Sequence, residues 1–351
     1  MRQALGLLAI PFALSPAFAD TPTATPQTSP ASKDAAALSE RITLLAPIQV
    51  ESLTLSPIVV TADALRGARD EPLLVLDEAM TGKQVRIQEI AEGSVNSLTF
   101  VNSADQPVFI LAGEVILGGK QDRIIGRNTV IPAKTTQAVP VYCVEHGRWD
   151  GTTKEFTSAR ALAHNRLRGR ASYAAQRDVW NEVAAKNVAR KTKTASDTYR
   201  GVAQQQSDGT LGAMERQVSA ALARLALSDR DRMVGYAVSI NGAIATVDLF
   251  GSPALFRKLE TKLVRSYLTE AVDVVAKNDI TPPSAGDVKA FMADADKAAE
   301  QKSYDTDAAE TVIHTGARAY KAKVEYKRKP AAAQAADTKP APTVYQNYQA
   351  H

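Results

Sequence analysis

Between residues 42 and 144 the apolar positions come in short runs broken by turn-forming residues. The runs fall at 48–61, 73–78, 84–89, 97–102, 107–112, 124–131 and 137–144, and Thr81-Gly82-Lys83, Glu92-Gly93 and Ala104-Asp105-Gln106 punctuate them. β-Branched residues recurring in short runs, at a spacing of about ten, predict strands. The pattern suits a sandwich or an open barrel of mainly antiparallel strands. No helical pattern intervenes between the runs, which argues against a doubly wound parallel sheet.

From Thr157 the period changes. Thr157 or Ser158 caps a predicted helix that carries Ala161, Leu162 and Leu167 and ends at Gly169. A second helix is predicted over 173–190 with Trp180, Val183 and Val188, and a third over 211–227 with Met214, Val218, Leu222 and Leu225 at helical spacing. Residues 233–240 and 243–250 flank Asn241-Gly242. That pair predicts a hairpin, because both turn positions need positive φ. Ser252-Pro253 opens a helix to about 275 with Leu255, Leu259, Leu263, Tyr267 and Val272 on its buried stripe. A weaker, alanine-rich helix follows at 287–300, and 311–327 returns to strand around Gly316. The expected fold class is α+β. One compact domain spans 42–328, with a β-rich part at 42–156 and a helical part at 157–328 that contains the hairpin 233–250.

The ends read differently. Arg2, the apolar run 5–14 and Ala17-Phe18-Ala19 form the pattern of a signal peptide over residues 1–19. The run is short and interrupted by Pro11, so an exported protein, periplasmic or secreted and not integral to a membrane, is expected. Residues 20–41 read as a flexible linker and 329–351 as a disordered tail with Tyr345 and Tyr348 near its end.

Composition adds two limits. The 351 residues hold one cysteine, Cys143, so no internal disulfide forms, and a lone thiol in an apolar strand reads as packing. The net charge is only +4, yet residues 160–200 carry ten Lys/Arg against three Asp/Glu. Those cations scatter around the helices without interleaved aromatics, so no specific nucleic-acid binding is expected and a solvated face is the plainer reading.

Two stretches carry candidate chemistry, each placing charges and glycines at the end of an apolar run. In the first, residues 111–123, Gly118-Gly119 must turn, and Lys120 and Arg123 then lie beside backbone N–H groups, an anion-binding arrangement. It is not a phosphate loop of nucleotide hydrolases, because Gly119 displaces the lysine and Gln121 stands where Ser or Thr is needed. In the second, residues 139–150, an alternating strand ends in Glu145, His146, Gly147, Arg148, Trp149 and Asp150. If the two strands are neighbours, Glu114, Asp122 and Glu145 are candidate acid and base, and Gly118, Gly119, Lys120, Gln121, Arg123, Arg148 and Trp149 are candidate ligand contacts. The same charges would equally serve as an ion-pair network fixing two loops. The four histidines lack metal-ligand spacing, no metal is assigned, and no cofactor is indicated. No Gly-x-Ser-x-Gly nucleophile elbow is present.

With Gly113-Glu114-Val115, residues 118–123 and 139–145, and Gly147-Arg148-Trp149, the chain resembles the domain family named for its association with ADP-ribosylglycohydrolases and rhodanese-phosphatases, over about 44–275. The name describes gene company. The resemblance implies ADP-ribose or a related phosphorylated ligand in a stress-related role, and it transfers no catalytic residue. His146 stands where similar sequences would have Gln. The leading expectation is a domain binding a small anionic ligand through Lys120, Arg123 and Arg148. The alternatives are a carboxylate-based hydrolase at the same cleft, or a non-catalytic scaffold that meets a partner protein.

Overall fold

The apolar runs of the first half become strands that pair across long sequence distances, and the helices of the second half cover the faces those strands leave apolar. The computed structural model describes residues 38–61, 72–90, 95–147, 155–206, 209–306, 309–327 and 343–351. The expected signal peptide, most of the linker, Arg148 and Trp149 lie outside the described residues.

A 3-10 turn at Leu38–Glu40 precedes β1 (Ile42–Leu44), β2 (Ile48–Val50) and β3 (Leu53–Val60). The β-rich part continues with β4 (Leu74–Val75), α1 (Leu76–Thr81), β5 (Val85–Glu89), β6 (Ser97–Asn102), β7 (Val108–Ile110), β8 (Glu114–Gly118), β9 (Arg123–Ile125), β10 (Thr129–Ile131), β11 (Thr135–Cys143) and β12 (Phe156–Leu162). The helical part holds α2 (Asn165–Tyr173), α3 (Gln176–Arg190), α4 (Arg200–Ala203), α5 (Gly209–Leu222) and α6 (Leu227–Arg230). Then come β13 (Met233–Ile240), β14 (Ala243–Phe250), α7 (Pro253–Ala271) and α8 (Ala285–Asp296). The chain closes with β15 (Glu300–Asp305), β16 (Ala309–Thr315), β17 (Ala319–Tyr326) and β18 (Thr343–Ala350). The class is α+β.

Six strands in the order β12-β8-β9-β11-β6-β5 form the sheet that carries both motifs. Its outer strands meet at the β8–β9 turn, where Phe156 of β12 and Glu89 of β5 both lie against Gly119 and Glu89 accepts the Lys120 N–H at 3.0 Å. Three further strands, β10-β7-β4, share a core with it, and Phe100, Ile110, Ile116, Ile125, Val141 and Phe156 meet there. The opposite face packs Val115, Leu117 and Ile124 against Leu167, Val179 and Val183 of α2 and α3.

The other large sheet runs β1-β3-β13-β14-β18-β17-β16-β15, with β2 also on β3. Both faces are covered, by α7 and α5 on one side and by α8 on the other. That is why β3, polar Thr54 and Ser56 included, is buried at every position and β13 at all but its last.

Four expectations are corrected. The sequence 73–78 holds only the short strand β4, and α1 starts at Leu76 because Leu76 and Ala79 bury one face while Glu78 accepts the Val75 N–H at 3.1 Å. The helix expected from Thr157 is the strand β12. Phe156, Thr157 and Ser158 pair with Gly118, Leu117 and Ile116 of β8, and the helix begins only at Asn165. The single helix 173–190 is broken before Gln176, and Val188 is 65% exposed instead of packed. The tail 329–351 does not stay disordered where it is described: β18 lies between β14 and β17 with Tyr345 and Tyr348 fully buried. Two tyrosines three apart supply the apolar area that orders it. Residues 328–342 lie outside the described residues.

The hairpin forms as expected, with Asn241 at φ 50 and Gly242 at φ 83. The Ser252 hydroxyl caps α7 by accepting the Leu255 N–H at 3.2 Å.

Candidate functional site

The turn between β8 and β9 is built on two glycines in the left-handed region, Gly118 at φ 117 and Gly119 at φ 56. A side chain at Gly119 would collide with the Phe156 ring and the Glu89 carboxylate. Past the turn Asp122 reaches back, and its Oδ1 accepts the Gly118 N–H at 3.0 Å.

Asp122 is fully buried. Besides Gly118, its Oδ1 accepts Arg200 Nη2 at 2.7 Å, and its Oδ2 accepts Arg200 Nε at 3.0 Å and the Thr198 hydroxyl at 2.7 Å. A carboxylate offers about four acceptor positions, and these donors occupy them. Burial works to raise its pKa, but the bonds from Arg200, Gly118 and Thr198 outweigh it and hold the carboxyl below the usual aspartate range.

Glu145, also buried, is joined to it. Its Oε2 accepts the Asp122 N–H at 3.0 Å and its Oε1 accepts the Ser196 hydroxyl at 2.8 Å. Its carbonyl accepts the Gln121 side-chain amide at 2.7 Å, while Gln121 Oε1 accepts Arg123 Nη1 at 3.3 Å. The backbone repeats the grip: Gly147 N donates to Ser196 O at 3.0 Å and Tyr199 N to Val144 O at 2.9 Å. A Cβ on Gly147 would lie 3.0 Å from Ser196 Cα, so glycine lets these segments touch. The two motif stretches therefore close as a charged clamp on residues 196–200.

Glu114 stands apart from this cluster, at the other end of β8, about 13 Å away for a five-residue strand. Its Oε2 accepts the Leu111 N–H at 3.0 Å, and its Oε1 bonds Lys262. Lys262 in turn meets Asp77 at 2.8 Å. Burial pushes the Glu114 carboxyl up against the pull of Lys262, and Asp77 adds to the rise. For Lys262 burial is overcome by the two carboxylates, which hold the ammonium above the ordinary lysine range. A side chain at Gly113 would strike the stem of Arg168, which runs past to Asp248 at 2.9 Å.

The structure thus unites Gly118, Gly119, Lys120, Gln121, Asp122, Arg123 and Glu145 and separates Glu114 from them, but Arg123 is fully buried with Nη1 on Gln121, which corrects the expectation that it contacts a ligand. Ser196, Thr198, Arg200, Lys262 and Asp77 escaped the sequence reading, since none stands in a local pattern. Arg200 was visible only as one cation of the basic segment. Within that segment Arg166, Arg168, Lys186, Arg190 and Arg200 ion-pair with Glu270, Asp248, Asp273, Asp273 and Asp122. Five of its ten cations thereby pair with acids far away in sequence, of which Arg168, Lys186 and Arg190 turn inward, while the other seven of the ten stay exposed, as the solvated-face reading expects. Among the described residues no group of three or more His, Cys, Asp or Glu side chains is placed to hold a metal ion. No helix of the described residues is long and apolar enough to cross a membrane.

A family model described as ARPP-1, the ARG and Rhodanese-Phosphatase-superfamily-associated Protein domain, matches residues 41–335. None of the curated proteins and none of the solved structures compared with the chain matches it.

Proposed function

We propose, for a chain that belongs to the ARG and Rhodanese-Phosphatase-superfamily-associated Protein domain family, that it works as an exported binding domain for a small anion. In this reading the charged motif is framework, and no hydrolysis runs through Glu114, Asp122 and Glu145. The observation that carries this is the saturation of Asp122, whose acceptor positions are filled by Gly118, Thr198 and Arg200. A general base must have a lone pair to offer, and a general acid must hold a proton. Asp122, kept ionised and fully bonded, has neither.

What the framework fixes is a rim with cations: Lys120 on the glycine turn, partly exposed, and Arg200, whose side chain is 45% exposed. Arg148 and Trp149 follow Gly147 in the sequence. The Gly118 and Lys120 N–H groups of the turn are taken by Asp122 and Glu89, so recognition of a phosphate or carboxylate falls to the side-chain cations of the rim. ADP-ribose-like or other phosphorylated ligands are the class suggested by the company in the family's name, in a stress-related role. The leader pattern at residues 1–19 supports export.

Thermal unfolding of residues 20–351 with ADP-ribose, nucleotides and sugar phosphates tests the reading. A ligand at about a hundred times its dissociation constant adds about 2.7 kcal/mol, and Lys120→Ala should remove that gain while leaving the unliganded protein within about 0.5 kcal/mol. The ligand should be recovered intact. No shift with any ligand, or a shift that Lys120→Ala keeps, overturns it.

A further inference from the structure

A second constellation lies beside Glu114, independent of the clamp. Ser158, on β12 opposite Ile116, is part-exposed. Its hydroxyl donates to Asp77 Oδ1 at 2.5 Å and accepts the Arg160 N–H at 2.9 Å. Asp77 Oδ2 meets Lys262 Nζ at 2.8 Å, and the same ammonium bonds the buried Glu114. A hydroxyl within reach of solvent is thus wired through one carboxylate to a buried lysine and a second carboxylate. Its bond to Asp77 has the length of a short charge-assisted hydrogen bond.

The backbone there is strained. Arg160 sits at φ 52, inside the irregularity that shifts the β8–β12 register between Ser158 and Leu162. A left-handed arginine persists only where its surroundings hold it, and such residues and bulges gather at functional sites. Here the holders are the Ser158 hydroxyl and Thr81, whose Oγ1 accepts Arg160 Nη2 at 3.3 Å. Three elements converge: α1 brings Asp77 and Thr81, β12 brings Ser158 and Arg160, and α7 brings Lys262. Lys262 occupies Oδ2 of Asp77 and so leaves Oδ1 turned to the hydroxyl.

We propose that Ser158 is a nucleophilic hydroxyl, activated by Asp77 and acylated by activated esters that carry negative charge. Ser158 Oγ forms a bond to the ester carbonyl carbon, and its proton passes to Asp77 Oδ1. The ester C–O bond then breaks, and the leaving alkoxide or phenolate departs with the electron pair. Arg160, exposed at the bulge, supplies the positive charge that favours an anionic ester. Lys262 is a positioning residue, and Glu114 holds it.

The test is incubation of the full chain with mono-4-nitrophenyl succinate, followed by intact mass and peptide mapping. One succinyl group on Ser158 and a burst of one equivalent of 4-nitrophenolate are expected, and Ser158→Ala should lose both. Asp77→Asn should acylate about 100-fold more slowly. Arg160→Ala should bring the rate ratio of this ester to neutral 4-nitrophenyl acetate toward one, which a merely structural role would not do. If Asp77→Asn fails to fold, the wild-type chain decides. Acylation of Ser158 faster than of other surface serines supports the proposal, and acylation no faster overturns it, as does a folded Asp77→Asn that reacts at the wild-type rate.

Discussion

Gly113 shows how one absent side chain sets a long-range contact. The stem of Arg168 occupies the space a Cβ would need, and beyond it the guanidinium meets Asp248 at 2.9 Å and the Tyr345 hydroxyl at 3.0 Å. With Gly113 also at φ 95, Gly113→Ala should cost about 2–3 kcal/mol in urea unfolding. His164 is the matching case for charge. It is fully buried, and the Tyr199 hydroxyl accepts its backbone N–H at 3.0 Å. Ionised Glu182 can only accept, so Nε2–H donates to it at 3.0 Å and Nδ1 of the neutral ring accepts the Tyr199 hydroxyl at 2.8 Å. Burial lowers the His164 pKa against the pull of Glu182 and Glu270. Its contribution to stability is then complete above 6.5, the ordinary histidine value, and is lost as pH falls toward its folded pKa. Asp122, lowered from 3.8, contributes fully above that value and loses its share at still lower pH, whereas Glu114, raised from 4.5, loses its share as pH rises. The His164 share of the melting temperature should therefore decline as pH falls below 6.5, and His164→Gln should flatten that decline. An unchanged slope would remove His164 from the account.

Elements with local signals were legible and those with remote partners were not. Asn241-Gly242 and Ser252-Pro253 carry their own turn and cap chemistry, so the hairpin and α7 start where the pattern places them. Ser252→Ala should cost about 1 kcal/mol, read from denaturant midpoints. By contrast β12 contains nothing that demands a strand. It is extended because β8 needs a neighbour, and that pairing overrides a weak helical pattern. The motif stretches were visible as charge and glycine out of place. Their common object, residues 196–200, was not, because Ser196, Thr198 and Arg200 are marked only by what grips them.

Across the whole molecule, the charge imbalance of residues 160–200 was plain in the sequence, but its resolution was not. The acids that pair with its cations lie in the β8–β9 turn, on β14, and just inside or beyond the end of α7, so a one-dimensional count cannot pair them. The C-terminal strand hid for a similar reason: its two tyrosines are three apart among polar residues, so they bury on opposite faces and give no period-two pattern, and they count as apolar only once β14 and β17 enclose them. Deleting residues 343–351 should strip the partner from both neighbours and expose Phe250 and Val324. Cooperative thermal unfolding, followed by near-ultraviolet circular dichroism, should then be lost at 25 °C. A truncated chain that melts like the parent would show that β18 is dispensable.

The clamp is the claim on which the functional reading stands, and a double-mutant cycle on Asp122 and Arg200 measures it. Asp122→Asn, Arg200→Gln and the double variant would be unfolded in urea beside the parent chain. Because Arg200 is half exposed, solvent limits the pair, and a coupling energy of about 1 kcal/mol is expected. Asp122→Asn alone should cost about 2–3 kcal/mol, since a buried acceptor of charged and neutral donors is lost. Additive single effects, with Asp122→Asn as stable as the parent, would contradict the clamp and return Asp122 to the candidates for acid–base chemistry.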